Sequence, residues 1–153
     1  MFSVEQGNRA EYYRYLARLN FAAAEEADRS IGNLPGYGFA APPPIMTLCA
    51  HAIELSLKSY LLQKSVPESQ VRALGHDLVH AWTLCKEYGA EEGLIDENIL
   101  AIISDLLRSH RLRYGEESKL GKVPVYGSLQ KLTRTCLALC DAPTLAEIVE
   151  AAE

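Results

Sequence analysis

Between Ile45 and Leu62 the apolar positions of this chain fall into two stripes at helical spacing. One runs through Ile45, Leu48, Ala52, Leu55 and Leu62, with small Ser59 completing the 3–4 rhythm; the other runs through Cys49, Ile53, Leu57 and Leu61. Two such stripes predict a helix covered on most sides, the central member of a helical bundle. The polar remainder is narrow, with His51, Glu54 and Lys58 following one another at i, i+3 and i+7. Glu54 and Lys58 form an i,i+4 pair with the acid toward the N-terminus, the better orientation. That strip is either a solvated face closed by a surface ion pair or one wall of a polar groove.

The same periodicity places the other helices around it. Arg9 to Ser30 reads as a first helix, with Asn8 as its cap, Glu11 three residues on as in a capping box, and Tyr12, Leu16, Leu19, Ala23, Ala27 and Ile31 as its buried stripe. Gly32 to Pro44 holds the residues that end regular structure and is long for a helix–helix connection. Pro67 opens a short helical turn reaching Leu74. Asp77 caps a helix with Leu78, Trp82 and Cys85 inward and His80, Thr83 and Glu87 outward, ended by Gly89. Asp96 caps the next, whose stripe is Ile99, Ile102, Ile103, Leu106, Leu107 and His110; the cations of Arg108–Gly115 sit where its dipole favours them. A polar loop leads to a helix striped by Leu129, Leu132, Cys136 and Leu139, and Thr144 with Glu147 caps a short final one. No segment alternates as a strand does. The expected architecture is all-α, one domain over residues 1–153, with four or five main helices plus short helical turns.

Composition narrows the class. With 153 residues, 48% hydrophobic and 23% charged, the chain is long enough for a real core. A net charge of -5 argues against coating nucleic acid by bulk charge, although a local basic patch remains able to bind it. No run of 18 uncharged apolar residues predicts a membrane span, and the first residues lack the basic start and apolar core of a signal peptide. Cytoplasmic location without membrane attachment is the expectation. Cys49, Cys85, Cys136 and Cys140 follow no zinc spacing and are expected in the core. No metal or cofactor is implied.

Three segments carry a family resemblance. AIELSLKSYLLQK (Ala52 to Lys64) sets a Glu and a Lys in an aliphatic helix. LGHDLVHAWTLC (Leu74 to Cys85) opens a helix on a GH-D-L pattern after a short turn. LLRSHRLRYG (Leu106 to Gly115) closes a helix with R-x-RY. Together, over about 60 residues and in order, they resemble the HEPN family, the higher-eukaryote and prokaryote nucleotide-binding domain. The resemblance implies a helical bundle that often dimerises and binds or acts on nucleotides or RNA, in settings such as prokaryotic defence and toxin–antitoxin systems. Ribonuclease members rely on Arg, four to six residues, then His. Here the spacings are Arg72-x3-His76, Arg72-x7-His80 and Arg108-x-His110, and none matches. The departure turns the expectation from cleavage toward a non-catalytic module holding a nucleotide, RNA or partner protein, as a homodimer.

The candidate ligand residues are Glu54, Lys58, His76, Asp77, His80, Arg108, Arg111, Arg113 and Tyr114. His76 and Asp77 begin one helix, where free backbone N–H groups favour an anion. Arg108, Arg111 and Arg113 end another, and Tyr114 offers a stacking face. Plainer roles stand beside these: a turn hydrogen bond for His76, a core position for His110, dipole partners or an ion-pair network with Glu54 and Asp77 for the arginines. Arg113 with Tyr114 is the pair that structure alone explains least. The alternative is a divergent, metal-independent ribonuclease or nucleotide-processing enzyme, with His76 or His80 carrying the proton and Arg111 or Arg113 clamping the anion.

Overall fold

The central apolar stretch forms helix α2, Pro43–Gln63, and every other long helix packs on it or on its neighbours. It begins earlier than Ile45 because Pro43 and Pro44 occupy its first positions, where a proline lacks nothing the helix needs. The computed structural model describes residues 4–34, 41–109 and 124–152. Within them the chain is all-α, with seven helices and no strand. Besides α2 these are α1 (Val4–Ser30), α3 (Glu68–Ala73), α4 (Leu78–Glu87), α5 (Glu97–Arg108), α6 (Tyr126–Leu139) and α7 (Leu145–Ala152). Five have ten residues or more; α3 and α7 are the short turns.

Helix α2 touches α1, α3, α4, α5 and α6, which is why Ile45, Met46, Cys49, Ile53, Leu57, Leu61 and Leu62 are all buried although they point several ways around it. By length and composition α2 could cross a membrane, with a mean hydropathy of 1.2 over 18 residues, but 72% of that window is buried inside the protein. Trp82 of α4, Phe21 of α1 and Leu100, Ile103 and Leu106 of α5 complete the core.

Helix α1 departs from the sequence reading in two ways. It starts at Val4, so Asn8 is an interior residue and not a cap. Gly7 just before Asn8 does not interrupt the helix, and the early turns are anchored: the Ser59 hydroxyl donates to the Ala10 carbonyl at 2.7 Å, and Arg9 pairs with Glu68 at 2.8 Å. Its buried face is also different. Ala10, Ala17, Phe21 and Ala24 face α2, whereas Tyr12, Leu19 and Ala23 of the expected stripe are exposed. Alanines at seven-residue spacing let two backbones approach closely, and that close approach decides the phase of α1 over side-chain size.

Helices α4 to α7 follow their sequence signals closely. Asp77 accepts the His80 N–H at 3.0 Å, Asp96 accepts those of Asn98 and Ile99, and Thr144 and Glu147 satisfy each other's backbone as a capping box. Gly89 ends α4 at φ 105°, a backbone that a side chain rarely tolerates. On α5 the buried line runs through Leu100, Ile103, Ser104 and Leu106, with Ile99, Ile102 and Leu107 half-covered at its margin. His110, Tyr37 and Phe39 lie outside the described residues, as does the polar loop before α6.

Candidate functional site

Glu54 sits at the middle of α2 and is buried, with only 8% of its surface exposed. A carboxylate there is tolerated only if it is paired. Two groups pair with it, one for each oxygen. Lys58, one turn on, brings its Nζ to 3.6 Å from Oε2, and the His76 Nδ1 lies 2.6 Å from Oε1. The strip of His51, Glu54 and Lys58 is therefore not a solvated face: none of the three is fully exposed.

His76 reaches Glu54 because of the turn between α3 and α4. The chain leaves α3 at Ala73, reverses at Gly75 in the left-handed region (φ 55°), and presents His76 toward α2 before Asp77 caps α4. Since a carboxylate oxygen accepts, Nδ1 carries the proton, which leaves Nε2 as the free face of a side chain about half exposed (52%). The plain role of a backbone hydrogen bond at the turn does not describe His76; its partner is a side chain 22 residues away.

Asp77 divides its oxygens similarly. Oδ1 caps α4, and Oδ2 lies 3.6 Å from Arg108, the last residue of α5. One further bond locks the two helices at this corner: the buried Leu78 N–H donates to the Ser104 hydroxyl at 3.0 Å. Glu54, Lys58, His76, Asp77 and Arg108 thus form one corner where α2, the α3–α4 turn, the start of α4 and the end of α5 meet. His80 joins only through its backbone N–H, and its side chain is exposed on the outer face of α4. Arg111, Arg113 and Tyr114 follow Arg108 in sequence and lie outside the described residues. With a neutral imidazole the two carboxylates balance Lys58 and Arg108; a protonated one leaves the corner with an excess positive charge.

The remaining chemistry is elsewhere. All four cysteines are free and buried. Burial pushes the thiols of Cys49 and Cys85 up to about 12 and that of Cys140 to about 11, and it raises Cys136 as well. They are core atoms, not nucleophiles. Among the described residues no three His, Cys, Asp or Glu side chains are placed to hold a metal ion. A cleft of about 420 Å³ lies between the Gly93–Asp96 loop and α6, lined also by Ser128, Lys131 and Thr135. It opens at the start of α5, roughly 18 Å of helix away from Arg108.

Two features escaped the sequence reading. Ser104 stands in the apolar line of α5 and looks like a small core residue until its bond to α4 is seen. The second is a charged cluster between α1 and α6, where half-buried Glu25 pairs with half-buried Arg18 at 3.6 Å and with exposed Arg134 at 3.3 Å, both guanidinium groups lying over Phe21. Beside it the Tyr126 hydroxyl is buried without a hydrogen-bond partner among the described residues, and burial, aided by Cys49, Asp28 and Glu25, pushes it up to about 12. The spacing of Arg18 and Glu25, seven residues on one face, was the available signal. Compared with known proteins, the chain matches no family model, no curated protein and no solved structure.

Proposed function

We propose that this chain is a non-catalytic binding module that holds a phosphate-bearing ligand, a nucleotide or an RNA end, at the corner of His76 and Arg108. The observation that carries the proposal is the placement of His76: an exposed imidazole fixed by a buried carboxylate, beside an arginine that ends a helix. Glu54 is neutralised by Lys58 and supports the ring instead of repelling an anion. The chain runs on from Arg108 into Arg111, Arg113 and Tyr114, which supply further cations and a stacking face in the same neighbourhood of sequence. The HEPN resemblance favours the same ligand class, a homodimeric assembly and a place in a prokaryotic defence or toxin–antitoxin type setting.

One observation favours a second reading, a metal-independent ribonuclease or nucleotide-processing enzyme. With Nδ1 held by Glu54, Nε2 faces outward as an acceptor, the arrangement a general base uses when a carboxylate orients it. Binding of ATP, AMP and a short single-stranded RNA at two salt concentrations tests both. Salt-sensitive binding that His76→Ala and Arg113→Ala abolish in folded protein supports the module. Cleavage of the RNA by the purified protein, lost in His76→Ala, replaces it with the enzyme. Absence of binding to all three ligands overturns both.

A further inference from the structure

Helix α1 carries its larger side chains outward. Tyr12 is 59% exposed, Tyr15 39% and Leu19 37%, with exposed Ala23 and half-buried Leu16 and Ala22 between them. At 100° per residue these six share one side of the helix, opposite the Ala10–Ala17–Ala24 line that faces α2. The apolar stretch ends in charge at both ends. Glu11 and Arg14 form an i,i+3 pair before it, and Glu26 and Arg29 form another after it. The acidic member comes first in each pair.

That order selects a partner. Glu11 and Arg29 are 18 residues apart, five full helical turns, so they lie on the same edge of the exposed face. Glu11 and Arg29 are centred on position 20. When a second α1 is laid antiparallel across a twofold axis level with position 20, Glu11 meets Arg29 of the other copy and Arg29 meets its Glu11. Both contacts join opposite charges, whereas Arg14 lies about 120° around the helix from Glu26, turned toward the body of the protein, where its guanidinium donates to the Asp141 carbonyl at 3.5 Å. An in-register parallel pairing sets Glu11 against Glu11 and Glu26 against Glu26 instead. In the antiparallel pairing Leu19 lies beside the axis and meets its own copy, while Tyr15 and Leu16 cover the turn that holds the small Ala22 and Ala23. With 27 residues α1 is about 40 Å long, enough for a face of several hundred Å² per copy, the lower part of the range for specific dimers.

We infer that the outward face of α1, Tyr12 to Ala23 bounded by Glu11 and Arg29, is an antiparallel self-association surface that takes a second copy of this chain. The surface deepens the homodimeric assembly proposed above and rests on it, but it stands apart from the His76–Arg108 corner, so ligand binding and self-association can fail separately.

Sedimentation equilibrium over a hundredfold range of concentration tests it. The wild-type chain of 16.9 kDa is expected to approach twice that mass at the upper end. Leu19→Glu, which sets two carboxylates together beside the axis, is expected to remain at one mass throughout, with an unchanged helical circular dichroism spectrum. Glu11→Arg and Arg29→Glu are each expected to weaken association at least tenfold, and the double variant to restore it to within about threefold of wild type. A wild-type protein that is monomeric at every concentration overturns the inference. So does a dimer indifferent to Leu19→Glu, or a double variant that fails to recover, since recovery follows only if Glu11 and Arg29 face each other.

Discussion

Replacing Glu54 by Gln separates the two things this carboxylate does. The side chain keeps its length, so no cavity opens, but Lys58 loses the anion 3.6 Å away and is left with its charge largely covered, the Lys58 side chain being only 13% exposed. Leaving one member of a fully buried ion pair unpaired costs about 3–5 kcal/mol. This pair is longer than a direct contact, both partners retain a little solvent, and the glutamine oxygen can still accept from His76, so the expected loss is about 2 kcal/mol. Lys58→Met alone leaves Glu54 with His76 as its remaining partner and is expected to cost about 1–2 kcal/mol. The double variant Glu54→Gln/Lys58→Met removes both charges and keeps the lysine's apolar stem, so it is expected to sit close to the better of the two single variants. Urea unfolding, read at constant m-value, gives the coupling as a double-mutant cycle, expected to exceed about 1 kcal/mol. A coupling indistinguishable from zero would refute the reasoning, because it would mean that the lysine stabilises Glu54 no better than water does.

Four further outcomes follow from the same packing. Asp77→Ala removes the cap of α4 and the partner of Arg108, and is expected to lower stability by about 1 kcal/mol, a drop of roughly 2–4 °C in the thermal midpoint. Ala17→Leu forces a large side chain into the fully buried α1–α2 contact and is expected to cost about 1–3 kcal/mol, whereas Ala23→Leu on the outer face is expected to leave monomer stability unchanged. The four thiols should resist a thiol reagent in the native protein at pH 8 and react together on unfolding in urea. Alkali supplies the sign test. Cys49 and Cys85 are raised from 9.0 to about 12 and Tyr126 from 10.0 to about 12. Above pH 9 the unfolded chain therefore releases protons that the folded one retains. Stability that is full below pH 9 should fall as pH rises toward 12, seen as a falling urea midpoint; a flat profile contradicts the burial of these groups.

The helices were legible because their ends are written in side-chain chemistry. Asp77, Asp96 and the Thr144–Glu147 box announce α4, α5 and α7, and each makes the predicted bond. The centrality of α2 was legible from apolar residues pointing more than one way. The joining of Glu54 to His76 was not, since nothing local to either residue encodes a contact across 22 positions; it depends on how far the Gly75 turn carries the chain back toward α2. The same holds for Ser104 with Leu78 and for Arg134 with Glu25, which are products of packing between helices. Arg111, Arg113 and Tyr114 were chosen on sequence, and their geometry lies outside the described residues.

Helix α1 shows how a periodicity argument can find the right helix and the wrong face. Two lines run along it: Ala10, Ala17, Phe21 and Ala24, and Tyr12, Leu16, Leu19 and Ala23. Ranking them by transfer free energy selects the second, because each Leu or Tyr has far more apolar area to bury than an Ala. Burial in a two-helix contact is not decided by one side alone, however. Alanines draw the axes together, so the gain comes from α2 approaching the α1 backbone itself, close enough for the Ser59 hydroxyl to bond the Ala10 carbonyl at 2.7 Å. A Tyr or Leu line facing α2 would hold the helices apart and forfeit those contacts. The phase that best buries α2 therefore turns the bulkier line of α1 outward, where nothing among the described residues of a single copy fully covers it. Its flanking charges then decide what does: an acid–base order at both ends is self-complementary only when the second helix runs the other way.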